Sequence, residues 1–537
     1  MTDVRRRVLL TAALLGLAAT CAPAQDRVAA ILRGAVGQVS DSASRASLER
    51  LYGGWSWRML WMGRQGPLAR ADSLLAWIDR SAADGLDPDA YDAAGIRALW
   101  RLPGDSVLAV ADERLSEAFL RLGHDLSAGR VVPARVDSLW TGAVTPPNVV
   151  AVLDEAVRRD DVSGALASLR PRAADYAALR QVLARYRVLA ARGGWPLVPA
   201  GPDLGPGDSG TRVAILRARL ALTDGPIGGT DSARFDDELV RAVRRFQSRH
   251  GLPADAVVGP ETRAALNVPV ARRIATLELN LERWRWVPRT VGLRYVLVNI
   301  PAFRLELHDS GRVQMSVRAI VGRKDWPTPI TTAWMDGITF RPEWNVPPRI
   351  ALLEILPLER AHPGYLGREG FRVISVDGGT PVDPDSVNWV TVDTARFPYR
   401  LVQEPGPDNP LGALRFVVAD PFNVAIHDTP QRALFGDRVR LFSHGCVRVD
   451  SAALLAVRLL PGWSADDVRN AMRGDSSRTV GLPRRLRVLL TYETAWVDAE
   501  GVVQFRDDIY AWDDELAAAL AGIRVAAVRA APGEDGR

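Results

Sequence analysis

The residues of this chain best suited to covalent chemistry lie in IHDTPQRALFGDRVRLFSHGCVRV, Ile426 to Val449. His427 is followed, after fifteen intervening residues, by Ser443-His444-Gly445-Cys446. A thiol attacks as its thiolate, and at an ordinary pKa of about 8.5 only a few per cent is ionised near neutral pH. A histidine brought beside it supplies the base. Attack on a carbonyl builds an oxyanion, and Gly445, with no Cβ, lets the backbone close on it. The N–H groups of Gly445 and Cys446, joined by that of His444, form a candidate oxyanion hole. The pattern points to acyl transfer through Cys446. A zinc set of His427, His444 and Cys446 lacks a second cysteine pair and a fourth ligand. A merely buried thiol would need neither the glycine nor the histidines.

The chain holds two cysteines, Cys21 and Cys446. Arg5 to Arg7, the apolar run Val8 to Ala19 and Ala22-Pro23-Ala24 read as an export signal cut before Gln25. Twelve apolar residues are short of the roughly 20 that span a bilayer. The rival readings are lipidation at Cys21 and an uncleaved anchor. Cleavage removes Cys21, so Cys446 stands alone as an unpaired thiol in an oxidising compartment, the periplasm, where it invites a functional explanation. With 68 basic and 63 acidic residues and no long basic run, nothing points to nucleic acid.

Several elements must position the motif. Residues 25–192 are helical in pattern: in SLLAWIDRSAADGLDPDAY, Leu74, Leu75 and Ile78 fall at helical spacing before a stop at Gly85. The Trp55 to Trp61 cluster is expected to pack this domain. A Gly/Pro-dense stretch, 193–210, opens a compact module over 193–268. Val213, Leu216 and Leu220 line one helix of it, Leu239, Ala242, Val243 and Phe246 a second, and Pro260 opens a third ending near Leu266. A helical connector, 269–292, follows. From Tyr295 the period becomes two, so 293–497 is expected to be mostly β. An insertion at about 344–404, with a helical core over 350–359, caps the sheet, and 498–537 is a C-terminal extension. The expected fold class is multidomain α+β. His124, His250, His308 and His362 stand in unrelated contexts. Asp507 and Asp508 read as a turn or cap rather than a glycosidase pair.

RFDDELVRAVRRFQSRHGLPADAVVGPETRAAL resembles the peptidoglycan-binding domain of bacterial wall enzymes, on Ala242, Val243, Phe246, Gln247, Gly251, Leu252, Asp255, Gly259, Thr262 and Leu266. Ala256 departs from that domain's usual Asp-Gly turn. The His427 to Cys446 spacing resembles the signature of the L,D-transpeptidases, cysteine enzymes that cross-link peptidoglycan. VGRKDWPTPI, RPEWNVPPRI, PGPDNPLGALRF, IHDTP, SHGCVRV and TAWVDAEGVVQFRDDIYAWD support it in order. The domain order is similar to the long periplasmic subtype, with a helical scaffold domain ahead and a capping insertion.

The resemblance implies Cys446 as nucleophile and His427 as general base, oriented by a backbone carbonyl rather than by Asp428. Ser443 and His444 shape the loop, and Arg448 places a substrate carboxylate or braces the loop. Trp344 and Tyr365 are candidates for the donor cleft. The implied partners are peptidoglycan tetrapeptide stems, as donor and acceptor, with other wall-synthesis proteins as further candidates. The implied reaction forms 3→3 cross-links with release of D-Ala and needs no metal or organic cofactor. The alternatives are an L,D-carboxypeptidase, a transferase anchoring proteins to the wall, and a non-catalytic wall-binding scaffold.

Overall fold

Helix Asp105–Ala128 (α1) carries Leu115, Phe119, Leu122 and Leu126 on one buried stripe and is the axle of the N-terminal domain. In this computed structural model, which describes residues 24–530 except 64, 142–144 and 230, helices Ala24–Gly37, Ser42–Gly54, Ala69–Arg80, Val149–Arg159 and Val162–Leu169 pack around it. The side chains of residues 24, 25 and 523–530 are not described, and the export signal read over 1–24, with Cys21, lies outside the described residues except for Ala24. Among the described residues no helix is long and apolar enough to cross a membrane.

The tryptophan cluster packs as expected, around a polar knot. Asp112 of α1, fully buried, accepts hydrogen bonds from the N–H groups of Leu60 (3.0 Å), Trp61 (2.7 Å) and Met62 (2.9 Å) and from the Tyr52 hydroxyl (2.7 Å). Burial pushes its carboxyl up to about 6, against the pull of those donors. The native state therefore holds a proton more tightly than the unfolded chain between pH 3.8 and about 6, and the carboxylate's contribution to stability falls as pH rises through that window. Asp112→Asn puts an amide donor against two N–H groups that need an acceptor. It is expected to lower stability by roughly 2–4 kcal/mol, read by thermal unfolding.

The middle module forms three helices, Thr211–Asp224 (α2), Asp237–Arg249 (α3) and Pro260–Leu266 (α4), around Val213, Leu216, Leu239, Val243 and Phe246. Ala256 adopts φ +68°, the left-handed conformation that glycine takes at lower cost. Gln247 of α3 holds the turn: its Oε1 accepts from Ala256 N (2.9 Å), and its Nε2 donates to Asp255 Oδ1 (2.8 Å) and Val257 O (2.9 Å). The connector helix Val270–Trp284 (α5) packs on helix Ala174–Ala191 and on the hairpin Ala495–Val497/Val503–Phe505.

The β region expected from residue 293 is built on strands Arg294–Asn299 (β2), Arg304–Asp309 (β3), Arg312–Gly322 (β4), Ile330–Phe340 (β5), Leu414–Ala419 (β6), Ile426–His427 (β7), Leu441–Ser443 (β8), Val447–Val449 (β9) and Arg478–Thr491 (β10). Among the described residues their pairing closes on itself in the order β6-β7-β9-β4-β3-β2-β10-β5, with β5 returning to β6 and β8 lying parallel to β4. Alternate residues, among them Val296, Val298, Ala319, Val321, Phe416 and Ile426, point into one core. Helix Ala452–Leu459 (α6) adds Leu455 and Leu459 to it.

Two features depart from the boundaries drawn on sequence. Trp140–Thr141 (β1), within the stretch read as helical, pairs parallel with β5, and Trp140 lies fully buried with Trp286 at 5.5 Å and Trp512 at 5.6 Å. Two residues are too few to show a strand period. The segment set apart as an extension from 498 also joins the core: helix Trp512–Ala530 (α7) buries Trp512, Leu516 and Leu520 there. Its ring partner Trp140 is remote in sequence, so no local pattern announces that contact.

The insertion between β5 and β6 forms a separate cap. Four strands, ordered Pro381–Val382, Phe371–Ser375, Tyr399–Gln403 and Trp344–Asn345, pack with a helical stretch, 348–361, over Ile350, Leu356, Leu366 and Phe371. One turn of that stretch, Ala351–Ile355, is π-helical.

Candidate active site

Strands β7 and β9 run parallel with Ile426 opposite Val447 and His427 opposite Arg448. Ile426, Val447 and Val449 point into the core, so His427, Arg448 and, two residues before it, Cys446 share the opposite face. Cys446 and His427 are thus diagonal neighbours on adjacent parallel strands. Cys446 is half-buried, and its Sγ accepts the N–H of Ala425 at 3.4 Å.

His427 is 4% exposed, and its Nδ1 bonds the backbone oxygen of Asp428 at 2.5 Å. A carbonyl only accepts, so Nδ1 carries the proton and the lone pair of Nε2 is left for a base. The Asp428 carboxylate is engaged elsewhere, accepting from Ala413 N (3.0 Å) and Arg432 (2.5 Å). Burial, helped by the charges of Arg448 and Arg415, pushes His427 down to about 3. Burial pushes the Cys446 thiol up, while the Ala425 N–H and the same two arginines pull it back. The resting pair is therefore neutral thiol and neutral imidazole, and the proton moves during attack.

The loop between β8 and β9 is held by its carbonyls. Ser443, 1% exposed, donates from Oγ to Cys446 O at 2.5 Å. Thr328 donates from Oγ1 to Gly445 O at 2.8 Å and accepts the Gly322 N–H at 2.9 Å. Tyr510, on the stretch before α7, donates its hydroxyl to Gly322 O at 2.5 Å and so braces the same clamp. With both carbonyls turned onto hydroxyls, the N–H groups of Gly445 and Cys446 donate to no described residue and stay free beside the thiol. Gly445 has φ +100°, a backbone conformation that strains any residue bearing a Cβ.

His444 turns away from the thiol. Its Nε2 donates to Glu354 Oε1 at 2.6 Å, on the π-helical turn of the cap, and its ring meets Trp326 edge-on at 4.8 Å. Burial raises the Glu354 carboxyl, yet His444 and Arg323 together hold it below its usual value. Loop and cap are thereby joined by a charge-assisted contact. Among the described residues no three histidine, cysteine or acidic side chains are grouped to hold a metal.

Arg448 donates to Gln431 Oε1 at 2.6 Å. Trp344 and Tyr365 both lie in the cap and pack on Phe371 at 6.2 Å, half-buried at the edge of its core. His124, His250, His308 and His362 are not brought to this site; His250 stacks between Phe246 (3.9 Å) and Phe505 (5.5 Å). Three participants were not singled out on sequence, although each lies inside a stretch that carries the resemblance: Thr328, Tyr510 and Arg415, which stands on β6 opposite His427.

Comparison with known proteins adds an independent line. Residues 293–464 match the family described as the L,D-transpeptidase catalytic domain, 209–266 the "putative peptidoglycan binding domain" and 46–183 the scaffold domain. A Haemophilus influenzae protein described as a "putative L,D-transpeptidase" is 31% identical over 242 residues, 45% of this chain and 48% of that protein. This chain thus spans about half the length of the curated relative it matches. The crystal structure of residues 123–326 of the L,D-transpeptidase from Xylanimonas cellulosilytica is 18% identical, covering 55% of this chain and 99% of that one, at a TM-score of 0.19. The avibactam carbamoyl enzyme of Ldtfm is 10% identical, covering 58% and 98%, at a TM-score of 0.16.

Proposed function

We propose that this chain, which carries an L,D-transpeptidase catalytic domain behind a scaffold domain and a peptidoglycan-binding module, forms 3→3 cross-links in the wall by acyl transfer through Cys446. The observation that carries the reading is one face of β7 and β9: a half-buried thiol, a histidine with its Nε2 lone pair free, and two adjacent unpaired N–H groups.

His427 Nε2 takes the thiol proton as Sγ attacks the carbonyl joining the L-centre of a stem's third-position diamino acid to the terminal D-Ala. The N–H groups of Gly445 and Cys446 hold the oxyanion. The intermediate collapses, His427 returns the proton to the leaving nitrogen, and D-Ala departs, leaving a thioester on Cys446. An amine of a second stem's diamino acid attacks the thioester, giving up a proton to His427. The thiolate leaves and is reprotonated. The active site then lies in the periplasm, where the three-helix module keeps it on the polymer.

Incubation with disaccharide tetrapeptide, followed by mass spectrometry of the products, tests the reading. Free D-Ala together with a 3→3 dimer is expected. Tripeptide without dimer identifies a carboxypeptidase, and unchanged substrate overturns the acyl-transfer reading.

A further inference from the structure

Pairing across β6, β7 and β9 sets three side chains in one row, Arg415 opposite His427 and His427 opposite Arg448. Leu414, Phe416, Ile426 and Val447 alternate with them into the core, so the row lies on the face that bears Cys446. Two guanidiniums flanking a buried imidazole are an unfavourable arrangement unless something offsets the charge. Three of the buried arginines are offset by carboxylates, Arg285 by Glu282, Arg283 by Asp513 and Arg249 by Asp224, while Arg219 lies over the Trp195 ring at 3.9 Å.

Arg415 has no such partner. Its side chain makes no hydrogen bond or ion pair with any described residue, and its Nε is buried without an acceptor. Arg448 spends one terminal N–H on the neutral amide of Gln431, and its Nε is likewise buried and unpaired. Asp420 is the acidic side chain whose field reaches Cys446, yet it pairs with neither arginine, and its own Oδ2 is buried without a partner. An unmet buried donor costs about 1–3 kcal/mol, and more when charged. Here two such donors belong to guanidiniums without a carboxylate partner, and both stand beside the base, so the row offers an anion arriving from outside two charges that nothing in the fold offsets.

We propose that Arg415 joins Arg448, for which the resemblance already implies a carboxylate role, in a subsite straddling His427, and that this subsite receives the terminal carboxylate of the D-amino acid released in the first transfer. The proposal rests on the acyl-transfer reading above. Its geometry follows from the substrate's covalent structure. The leaving nitrogen is bonded to the carbon that bears this carboxylate, so anchoring the carboxylate across the row sets that nitrogen beside the imidazole that must protonate it. The acyl carbon, one bond further, then falls toward Cys446. Carboxylates elsewhere on the stem lie further along the chain from the scissile bond and cannot occupy a row centred on the base without displacing that bond. A carboxylate also offsets the two positive charges that disfavour protonation of His427, so the productive substrate raises the basicity of its own catalyst. Arg415 is in this sense a specificity residue, acting on the donor.

The experiment compares D-Ala release from disaccharide tetrapeptide with release of D-alaninamide from the same stem ending in a carboxamide. It uses wild type, Arg415→Gln and Arg415→Lys, each in the full chain. Wild type is expected to prefer the carboxylate by about 100-fold in kcat/KM, the scale of losing hydrogen bonds to a charged partner. Arg415→Gln should lower kcat/KM for the carboxylate by about 10- to 100-fold and leave the carboxamide within about 3-fold. The preference then collapses, and Arg415→Lys restores part of it. In wild type the acidic limb of kcat should lie at higher pH than that of kcat/KM, and Arg415→Gln should close the gap. An active wild type whose preference survives in Arg415→Gln overturns the subsite. So does an equal loss on both substrates, the mark of a structural role. No release from either stem by wild type overturns the acyl-transfer reading itself.

Discussion

Cys446→Ala should lower D-Ala release from a tetrapeptide stem by about 10⁴-fold or more, because the lost group makes the covalent bond and nothing beside it can substitute. Ser443 is turned onto the Cys446 carbonyl and His444 onto the cap, so neither hydroxyl nor imidazole is left to attack in its place. The substitution should leave the fold intact. The Sγ accepts a single N–H, from Ala425 at 3.4 Å, and the loop is held by Ser443 and Thr328 through backbone carbonyls that alanine retains. Equal thermal unfolding of variant and wild type, alongside the loss of release, separates chemistry from collapse.

The second large effect is at the base. His427→Gln keeps a donor for Asp428 O but has no lone pair of comparable basicity, so kcat should fall by about 10²- to 10⁴-fold. The pH dependence follows from burial and from the neighbouring arginines. His427 is held down to about 3, so it is still a neutral base at pH 5, where a free histidine is mostly protonated. In wild type the acidic limb of kcat/KM should therefore lie below pH 5, and a limb near 6.5 would contradict the assignment. Stability has the matching sign. Below 6.5 the unfolded chain protonates this residue while the native state does not, so native stability falls as pH drops from 6.5 toward about 3. His427→Gln should flatten that part of the stability profile.

Much of the architecture was legible because it is written in local period. Leu239, Val243 and Phe246 repeat at helical spacing and are buried in α3, and the alternation of Leu305 and Leu307 is the alternation of β3. The motif around Cys446 was legible for another reason: its glycine and histidines lie close in sequence, and chemistry limits what such a set can do. What stayed hidden depends on register between distant strands. Arg415 reads as an ordinary outward residue of an alternating strand, and only the pairing with His427 reveals its neighbour. Glu354 and His444 lie 90 residues apart, and Trp140 meets the sheet through two residues without a pattern. Trp344 and Tyr365 drew attention as aromatic side chains in the cap. The structure packs both on Phe371, a contact that spacing alone does not announce.

The central claim is that the stem is passed through a thioester on Cys446, and intact-mass spectrometry of the full chain mixed with disaccharide tetrapeptide tests it most directly. The account predicts a transient adduct equal to the substrate mass less D-Ala, localised to Cys446 by peptide mapping and absent from Cys446→Ala. Release of D-Ala by the wild type with no adduct at any time of quenching, or with an adduct that persists in Cys446→Ala, would contradict it.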